Sequence, residues 1–204
     1  MKNGTRVRIA RFRPQAVLKI SGEDALPFLQ GQFTQDMKTP GRAAARYGLW
    51  LNQKGKVLAD SFILAAEGGE LWVVSYFSPA LTIRERLESY IIADDVEIDD
   101  QTAAWAGIAV IGEGGREWLR ERSIKGLETA DLVCEDDGLV WRGRRSAGEC
   151  WDWLMPASKA AAIATGDASL LSEEELERMR IEEGIPAVPR DIGAADLPNE
   201  AGLE

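Results

Sequence analysis

The sequence predicts an α+β protein built from two similar modules, each combining antiparallel sheet with helices. Two patterns predict this fold class. Short apolar runs with strand-like alternation are joined by turn residues, most clearly in Arg46–Ala66. Segments with helical apolar spacing follow such runs in both halves of the chain, as after Pro79. A chain of 204 residues can bury two small cores, and we expect the modules to cover residues 1–100 and 101–204.

The first module contains a hairpin that local signals predict on their own. Ala16–Ile20 has the aliphatic composition of a strand, and Ser21–Asp24 supplies capping residues for a helix over Ala25–Gln32. Arg46–Asn52 alternates and is followed by turn residues and the apolar run Val57–Ala66, which predicts an antiparallel pair. Further predicted elements are a strand over Leu71–Tyr76, a helix opened by Pro79 that carries Leu81, Leu87, Tyr90 and Ile91, and a short strand over Val96–Ile98.

The second half repeats the same kinds of element. Its predicted strands are Trp105–Ile111, Leu132–Val133, Leu139–Trp141 and Cys150–Met155, and its predicted helices are Gly112–Arg122, Pro156–Thr165 and Ser172–Glu183. The last helix has the clearest ends, because Ser172 and Glu175 have the spacing of a capping box and Gly184 suits the residue after a helix.

Composition excludes several classes of function. The formal charge of −10 argues against a nucleic-acid or anionic membrane surface as the main partner. Histidine is absent, so this chain holds no Ser-His-Asp triad, and we predict no metal site. Cys134 and Cys150 lack metal-ligand spacing, and we expect reduced thiols rather than a disulfide because nothing suggests secretion. No apolar run approaches the roughly 18 residues of a membrane span, and we expect a cytoplasmic location.

The first 22 residues contain no acid but several basic residues, among them Lys2, Arg6 and Arg11. Organelle-targeting segments are also rich in arginine and poor in acids. The alternative, which we favour, is an N-terminal strand that leads into the fold, since Pro14 interrupts any long amphipathic helix.

Two other patterns carry little functional weight. The glycines of Gly112–Gly115 lack the spacing of a dinucleotide loop, and a simple turn explains them. Trp151 and Trp153 have the spacing of one strand face, which favours core packing over a nucleic-acid surface. We expect the nearby arginines to lie on a solvated hairpin loop; these are Arg142, Arg144 and Arg145.

Four segments together identify a family. They are Phe28–Asp36, Leu51–Asp60, Arg180–Pro186 and Leu197–Leu203. In this order they resemble the folate-binding YgfZ-type proteins, relatives of the glycine-cleavage T-protein, an aminomethyltransferase. The resemblance covers the chain nearly end to end. It implies two α+β modules of the aminomethyltransferase folate-binding type that cradle tetrahydrofolate, followed in the family by a C-terminal barrel.

The resemblance implies which residues contact the ligand. Glu182 would accept hydrogen bonds from the pterin, because a carboxylate matches an exocyclic amine and the neighbouring ring N–H. The alternative is that Glu182 is one more exposed charge on an acidic helix. Arg180 of the same segment and Gln32 of the first segment are also expected to bind folate.

The hairpin segment departs from the T-protein pattern of two adjacent aspartates. Here Ala59 and Asp60 stand at those positions, so one carboxylate is missing. Loss of an acid near the folate nitrogens disfavours aminomethyl transfer. Asp60 either orients the ligand or faces solvent from its strand.

The YgfZ-type family also carries a Lys-Gly-Cys-Tyr-x-Gly-Gln-Glu motif beyond the Leu197–Leu203 segment, and we expect the part from that motif onward to be missing after Glu204. The resemblance implies a non-enzymatic, tetrahydrofolate-binding accessory protein that supports iron–sulfur cluster assembly or repair, with iron–sulfur client or assembly proteins as partners. One alternative is a tetrahydrofolate-dependent aminomethyltransferase of the glycine cleavage system. Another is a non-catalytic interaction fragment.

Overall fold

The computed structural model describes residues 7–37, 43–66, 68–135 and 138–203, and these form two compact units. The amino-terminal unit comprises Pro14–Ala103 and the described residues from Pro186 onward. The carboxy-terminal unit comprises Ala104–Ile185 and the described residues through Arg13. Each unit is therefore discontinuous in sequence, because the described residues at each chain end belong to the unit formed mainly by the other half of the chain.

The amino-terminal unit is an antiparallel sheet with two helices. Its strands are β2 (Ala16–Ser21), β3 (Ala44–Leu51), β4 (Val57–Ala65), β5 (Leu71–Ser75) and β6 (Glu97–Asp100), and its helices are α1 (Ala25–Gln32) and α2 (Ala80–Glu88). The order across the sheet is β3-β4-β5-β2-β6. β3 pairs with β4 as predicted, with a register shift between Trp50 and Leu51. The helix predicted after Pro79 is confirmed, but it ends before Tyr90.

The core of this unit lies between one sheet face and the two helices. Its largest fully buried side chains include Leu18, Ile63 and Trp50 from the strands. Phe33, which follows α1, packs against Trp50 with ring centroids 4.8 Å apart and the ring planes tilted by 46°. A Cβ at Gly48 would lie 2.8 Å from the Phe33 ring, so glycine permits the chain leaving α1 to cross β3 closely.

The carboxy-terminal unit has a six-stranded sheet. Its strands are β1 (Arg8–Phe12), β7 (Trp105–Ile111), β8 (Leu132–Glu135), β9 (Gly138–Arg142), β10 (Cys150–Pro156) and β11 (Ser169–Leu170), and its helices are α3 (Gly115–Arg120), α4 (Ala157–Ala162) and α5 (Glu173–Glu182). The strand order is β11-β1-β7-β10-β9-β8. The predicted antiparallel pairing is wrong for β1 and β11, which pair in parallel, and is confirmed for the other four strand pairs described in this sheet.

Both faces of this second sheet bury apolar side chains. Trp151 and Trp153 lie on one face, in the core that includes Trp118 of α3, which confirms their predicted packing role. Cys150 lies on the other face with Met179 of α5. The capping box at Ser172 is present, and Gly184 has φ +68°, as predicted for the end of α5.

The described residues at the start of the chain belong to the carboxy-terminal unit, and those at its end belong to the amino-terminal unit. β1 confirms the favoured N-terminal strand over its described residues, and Lys2 and Arg6 lie outside the described part of the chain. β1 pairs with β7, whereas its neighbour in sequence, β2, pairs with β5. At the other end, Val188, Ile192 and Leu203 pack on the outer face of the β3–β4 hairpin. We call residues 186–203 the C-terminal strap.

Candidate functional site

The residues predicted to bind folate fall into both units. Gln32 and Asp60 belong to the amino-terminal unit, and Arg180 and Glu182 belong to the carboxy-terminal unit. Each pair has its own surroundings, which decide what its side chains can do.

Asp60 is buried, with 4% of its surface exposed. Its Oδ1 accepts hydrogen bonds from the hydroxyls of Ser78, at 2.7 Å, and Ser75, at 3.2 Å. Its Oδ2 accepts a hydrogen bond from the Tyr47 hydroxyl at 2.9 Å. The alternative that Asp60 faces solvent is therefore wrong. A carboxylate with these donors is held in one orientation and is stabilised by charge-assisted hydrogen bonds.

The same site anchors the C-terminal strap. The Ser78 hydroxyl lies 3.0 Å from the carbonyl oxygen of Val188, and the backbone N–H of Asp60 donates to that hydroxyl at 2.9 Å. Further along, Val57 N–H donates to the carbonyl of Asp196 at 3.1 Å. The strap thus covers the sheet face on which Asp60 lies, because β4 places Asp60 opposite the helix-packed face.

Gln32 ends α1 beside a side chain that the sequence analysis did not single out. Its Oε1 accepts a hydrogen bond from Nη1 of Arg86 on α2, at 3.0 Å. Nε of Arg86 donates to the carbonyl of Leu51 at 3.0 Å, and the guanidinium stacks 3.9 Å from the ring centre of Tyr90. The i,i+4 spacing of Arg86 and Tyr90 is a sequence signal from which the contact between these two side chains could have been predicted.

Arg180 is buried and closes the end of α5. Its guanidinium donates to the carboxylate of Glu177 one turn earlier and to the carbonyl of Ile185 at 3.0 Å. These bonds satisfy a carbonyl beyond the helix end and neutralise the cation. Arg180 therefore shapes the turn that carries Gly184.

Glu182 is exposed on the last turn of α5, and its carboxylate makes no hydrogen bond or ion pair with the described residues. The adjacent Glu183 behaves differently, because it accepts hydrogen bonds from the Ser146 hydroxyl, at 3.3 Å, and from the N–H of Ala147. Of these two neighbouring acids, Glu182 is the one whose oxygens are available to a ligand.

A buried ion pair in the carboxy-terminal unit escaped the sequence analysis. Nε of Arg145 donates to Oδ1 of Asp152 at 3.0 Å, and the two residues are 6% and 0% exposed. The guanidinium also stacks 3.7 Å from the ring centre of Phe12. The expectation of a solvated hairpin loop is wrong for Arg145. Asp152 lies on the face of β10 opposite Trp151 and Trp153, and Arg145 is buried because its guanidinium pairs with this carboxylate. A charge between two core aromatics was the available signal.

The cysteines differ in accessibility. Cys134 on β8 is exposed, whereas Cys150 on β10 is fully buried. Burial, with a smaller contribution from the nearby Asp152 charge, raises the pKa of the Cys150 thiol to about 12. The described residues contain no group of three or more Asp, Glu, Cys or His side chains placed to hold a metal ion.

No helix in the described ranges combines the length and the hydropathy needed to cross a membrane.

Comparisons with known proteins show the family of this chain. The family described as GCVT N-terminal domain matches residues 6–132. An iron–sulfur cluster assembly factor IBA57 homolog, mitochondrial, from Cryptococcus neoformans is 26% identical over 95% of this chain and 54% of its own length. The mouse iron–sulfur cluster assembly factor IBA57, mitochondrial, is 24% identical over 92% of this chain and 52% of its own.

An aminomethyltransferase from Exiguobacterium sibiricum is 24% identical over 91% of this chain and 54% of its own length. The chain thus spans about half the length of these curated relatives. Among solved structures, the glycine cleavage system aminomethyltransferase T of Bartonella henselae superposes with a TM-score of 0.81 at 15% identity, over 95% of this chain and 55% of its own. This likeness shows the fold.

Proposed function

Because the chain belongs to the GCVT N-terminal domain family, we propose that it is a tetrahydrofolate-binding accessory protein supporting iron–sulfur cluster assembly or repair. The observation that carries the proposal is the match over nearly the whole chain to proteins named as iron–sulfur cluster assembly factors. The chain covers about half of those proteins, so the proposed activity is that of the folate-binding part. Its partners would be a reduced folate and iron–sulfur client or assembly proteins.

The surroundings of Asp60 favour binding over catalysis. Its carboxylate is buried and engaged by three hydroxyls, so its charge serves to hold Tyr47, Ser75 and Ser78 in place. The adjacent Ala59 is fully buried in the apolar core and offers no second carboxylate. General acid–base assistance at a ligand nitrogen needs a carboxylate within hydrogen-bond reach of that nitrogen. This pair of residues therefore suits a protein that binds a folate without transforming it.

Glu182 is the proposed contact to the pterin. An exposed carboxylate without a partner among the described residues can accept two parallel hydrogen bonds, which a 2-amino-4-oxopterin donates from its exocyclic amine and adjacent ring nitrogen. Arg180 would act indirectly, by holding the turn after α5 through its bonds to Glu177 and Ile185.

The test is a calorimetric titration with tetrahydrofolate. We expect saturable binding, and Glu182→Gln should weaken it at least about tenfold, since each lost hydrogen bond to a charged group contributes about 1.5–3 kcal/mol and about 1.4 kcal/mol is a factor of ten. Glu173→Gln is the matched control, because Glu173 is an exposed acid on the same helix. Absence of binding by the wild-type protein would overturn the proposal, and equal effects of the two variants would remove Glu182 from the site.

The role in iron–sulfur assembly has a separate readout. Expression in cells that lack their own YgfZ-type factor should restore the activity of iron–sulfur enzymes. If folate binds but enzyme activity is not restored, the folate-binding conclusion stands and the assembly role fails.

An aminomethyltransferase is the second candidate, favoured by the match to the Exiguobacterium enzyme over 91% of this chain. The loss of one carboxylate at Ala59 weighs against it. Release of methylenetetrahydrofolate from an aminomethylated lipoyl carrier would establish this activity, and a flat assay would exclude it.

A further inference from the structure

A cavity opens on one face of the sheet of the carboxy-terminal unit, between β10, the β8–β9 hairpin, α4 and the turn after α3. Its volume is about 330 Å³, at the lower end of the roughly 300–1,000 Å³ that small-molecule sites occupy. Trp153 and Met155 line it from β10. Met179 of α5 packs on the other face of the sheet, with Cys150. The cavity is therefore separate from the contact proposed at Glu182.

One wall of the cavity contains a buried donor without an acceptor. Trp153 is 9% exposed, and its indole Nε1–H makes no hydrogen bond with the described residues. Gly138 also lines the cavity and keeps this N–H uncovered, because a Cβ built there would lie 2.8 Å from Nε1. A buried donor without a partner is destabilising, so this N–H is expected to receive an acceptor from water or from a ligand.

The cavity is also lined by a cation whose hydrogen bonds all go to neutral groups. Nε and Nη2 of Arg122 donate to the carbonyl of Ala164 at 3.3 and 2.9 Å, and Nη1 donates to the carbonyl of Trp118 at 2.9 Å. The carboxylate of Glu121 lies 3.8 Å away, beyond hydrogen-bond distance. Burial lowers the pKa of the guanidinium, so its charge is poorly solvated. Two of its five N–H groups remain for a ligand.

The charges around the cavity favour an anion. Among the described residues that line it, Arg122 and Lys159 are positive and Glu135 is negative, whereas the whole chain has a formal charge of −10. The lining also includes the buried apolar side chains of Ile124 and Met155. A guanidinium and an indole N–H beside apolar walls suit a molecule with one carboxylate and an apolar body.

The backbone has an uncommon conformation where it borders the cavity. Ser123 has φ +68°, in the left-handed region that favours glycine. Its two neighbours, Arg122 and Ile124, both line the cavity, and the N–H of Ile124 donates to the carbonyl of Leu119 at 3.1 Å. Such conformations cost free energy and are concentrated at ligand sites, where they fix the side chains on either side.

We propose that this cavity binds a small apolar monocarboxylic acid. Its carboxylate accepts hydrogen bonds from Nε1–H of Trp153 and from the guanidinium of Arg122, and its apolar body contacts Ile124 and Met155. About eleven non-hydrogen atoms fill 330 Å³ if each takes about 30 Å³, the share of one water molecule in the liquid. Acids with a phenyl ring or a branched chain are of this size. The site lies within one unit and does not rest on the proposed function.

The test is a titration with hydrocinnamate and with isocaproate, using the amide of hydrocinnamic acid as the uncharged counterpart. Binding is followed through the indole N–H signals in proton–nitrogen correlation spectra. Trp153→Phe identifies the signal of Trp153, because it removes the N–H and keeps an aromatic ring. We expect this signal to shift saturably with both acids, with a Kd on the order of 1 mM. The amide should bind at least about fivefold more weakly than its acid.

Two pairs of variants test the placement of the ligand. Arg122→Gln should abolish the preference for the acid over the amide, whereas Lys125→Gln, which removes an exposed cation outside the lining, should retain it. Ala162→Phe places a ring in the cavity from the exposed end of α4 and should weaken binding at least about fivefold. Ala161→Phe, at an exposed position outside the lining, should leave the affinity unchanged.

A purely structural role of Arg122 would not change the ratio of affinities for the acid and its amide. The proposal is overturned if neither acid shifts the Trp153 signal at millimolar concentration, or if acid and amide bind the wild-type protein equally. Binding that Ala162→Phe leaves intact also overturns it. If Arg122→Gln does not fold, the comparison of Ala162→Phe with Ala161→Phe decides, because both positions are exposed.

Discussion

Replacing Asp60 by asparagine should destabilise the protein by about 2–3 kcal/mol. The change keeps the size of the side chain and one acceptor oxygen but removes the charge that receives hydrogen bonds from Tyr47, Ser75 and Ser78. A hydrogen bond to a charged group contributes about 1.5–3 kcal/mol, against about 0.5–1.5 kcal/mol for a neutral one. Each of the three bonds therefore loses about 1 kcal/mol.

The assay is thermal unfolding followed by circular dichroism. For a chain of this size each kcal/mol lowers the Tm by roughly 2–4 °C, so Asp60→Asn should lower it by about 4–12 °C. Tyr47→Phe removes one of the three donors and should produce about a third of that change. Hydrogen exchange at the N–H of Val57, which bonds to the strap, should also become faster in Asp60→Asn. An unchanged Tm in Asp60→Asn would refute the reasoning.

Three other perturbations have defined outcomes. Asp152→Asn leaves the buried Arg145 without its carboxylate and should lower the free energy of unfolding, measured in urea, by about 3–5 kcal/mol. The double change Asp152→Asn with Arg145→Met should lower that free energy by less than the sum of the two single changes. Strictly additive losses would contradict the coupling of the two side chains. Gly31→Ala should raise stability by about 0.5–1 kcal/mol, because a methyl group there is unhindered in a helix; a lower Tm would contradict this. Because the pKa of the Cys150 thiol is raised in the folded protein, the unfolded chain loses this proton above pH 9, whereas the folded protein keeps it until about pH 12. The free energy of unfolding should therefore fall by about 1.4 kcal/mol per pH unit between these two values. Cys150→Ala should remove this part of the slope, and native protein should react with one equivalent of a thiol reagent, at Cys134; two equivalents in the native state would contradict the burial of Cys150.

Local signals were sufficient for most elements. The hairpin of β3 and β4, the capping box at Ser172 and the turn at Gly184 are each encoded within a few neighbouring residues, and the structure confirms them. Three predicted helices were too long, and one of them is the helix after Pro79, which ends before Tyr90. The helix expected over Gly112–Arg122 begins at Gly115, and the one expected over Pro156–Thr165 ends at Ala162. Helix ends depend on hydrogen bonds that apolar spacing does not report.

The candidate site was less accessible to sequence reasoning. The segment that contains Asp60 could be recognised, but the hydroxyls of Tyr47 and Ser75 reach its carboxylate only because β3 and β5 flank β4. The burial of Arg145 follows in the same way from its pairing with Asp152 across the turn between β9 and β10. Side-chain partners on different strands have no fixed spacing along the chain.

The sequence by itself determined the fold class, the family and the segments that carry the candidate site, because each rests on short-range patterns or on ordered motifs. Only the tertiary structure decided that β1 belongs to the carboxy-terminal unit, that the C-terminal strap covers the face of Asp60, and that Arg86 is oriented beside Gln32. The physical reason is that strand pairing and the covering of a sheet face are long-range events. A strand carries an alternating pattern that fits several partners, and the choice among them depends on which apolar surfaces the rest of the chain leaves to be buried.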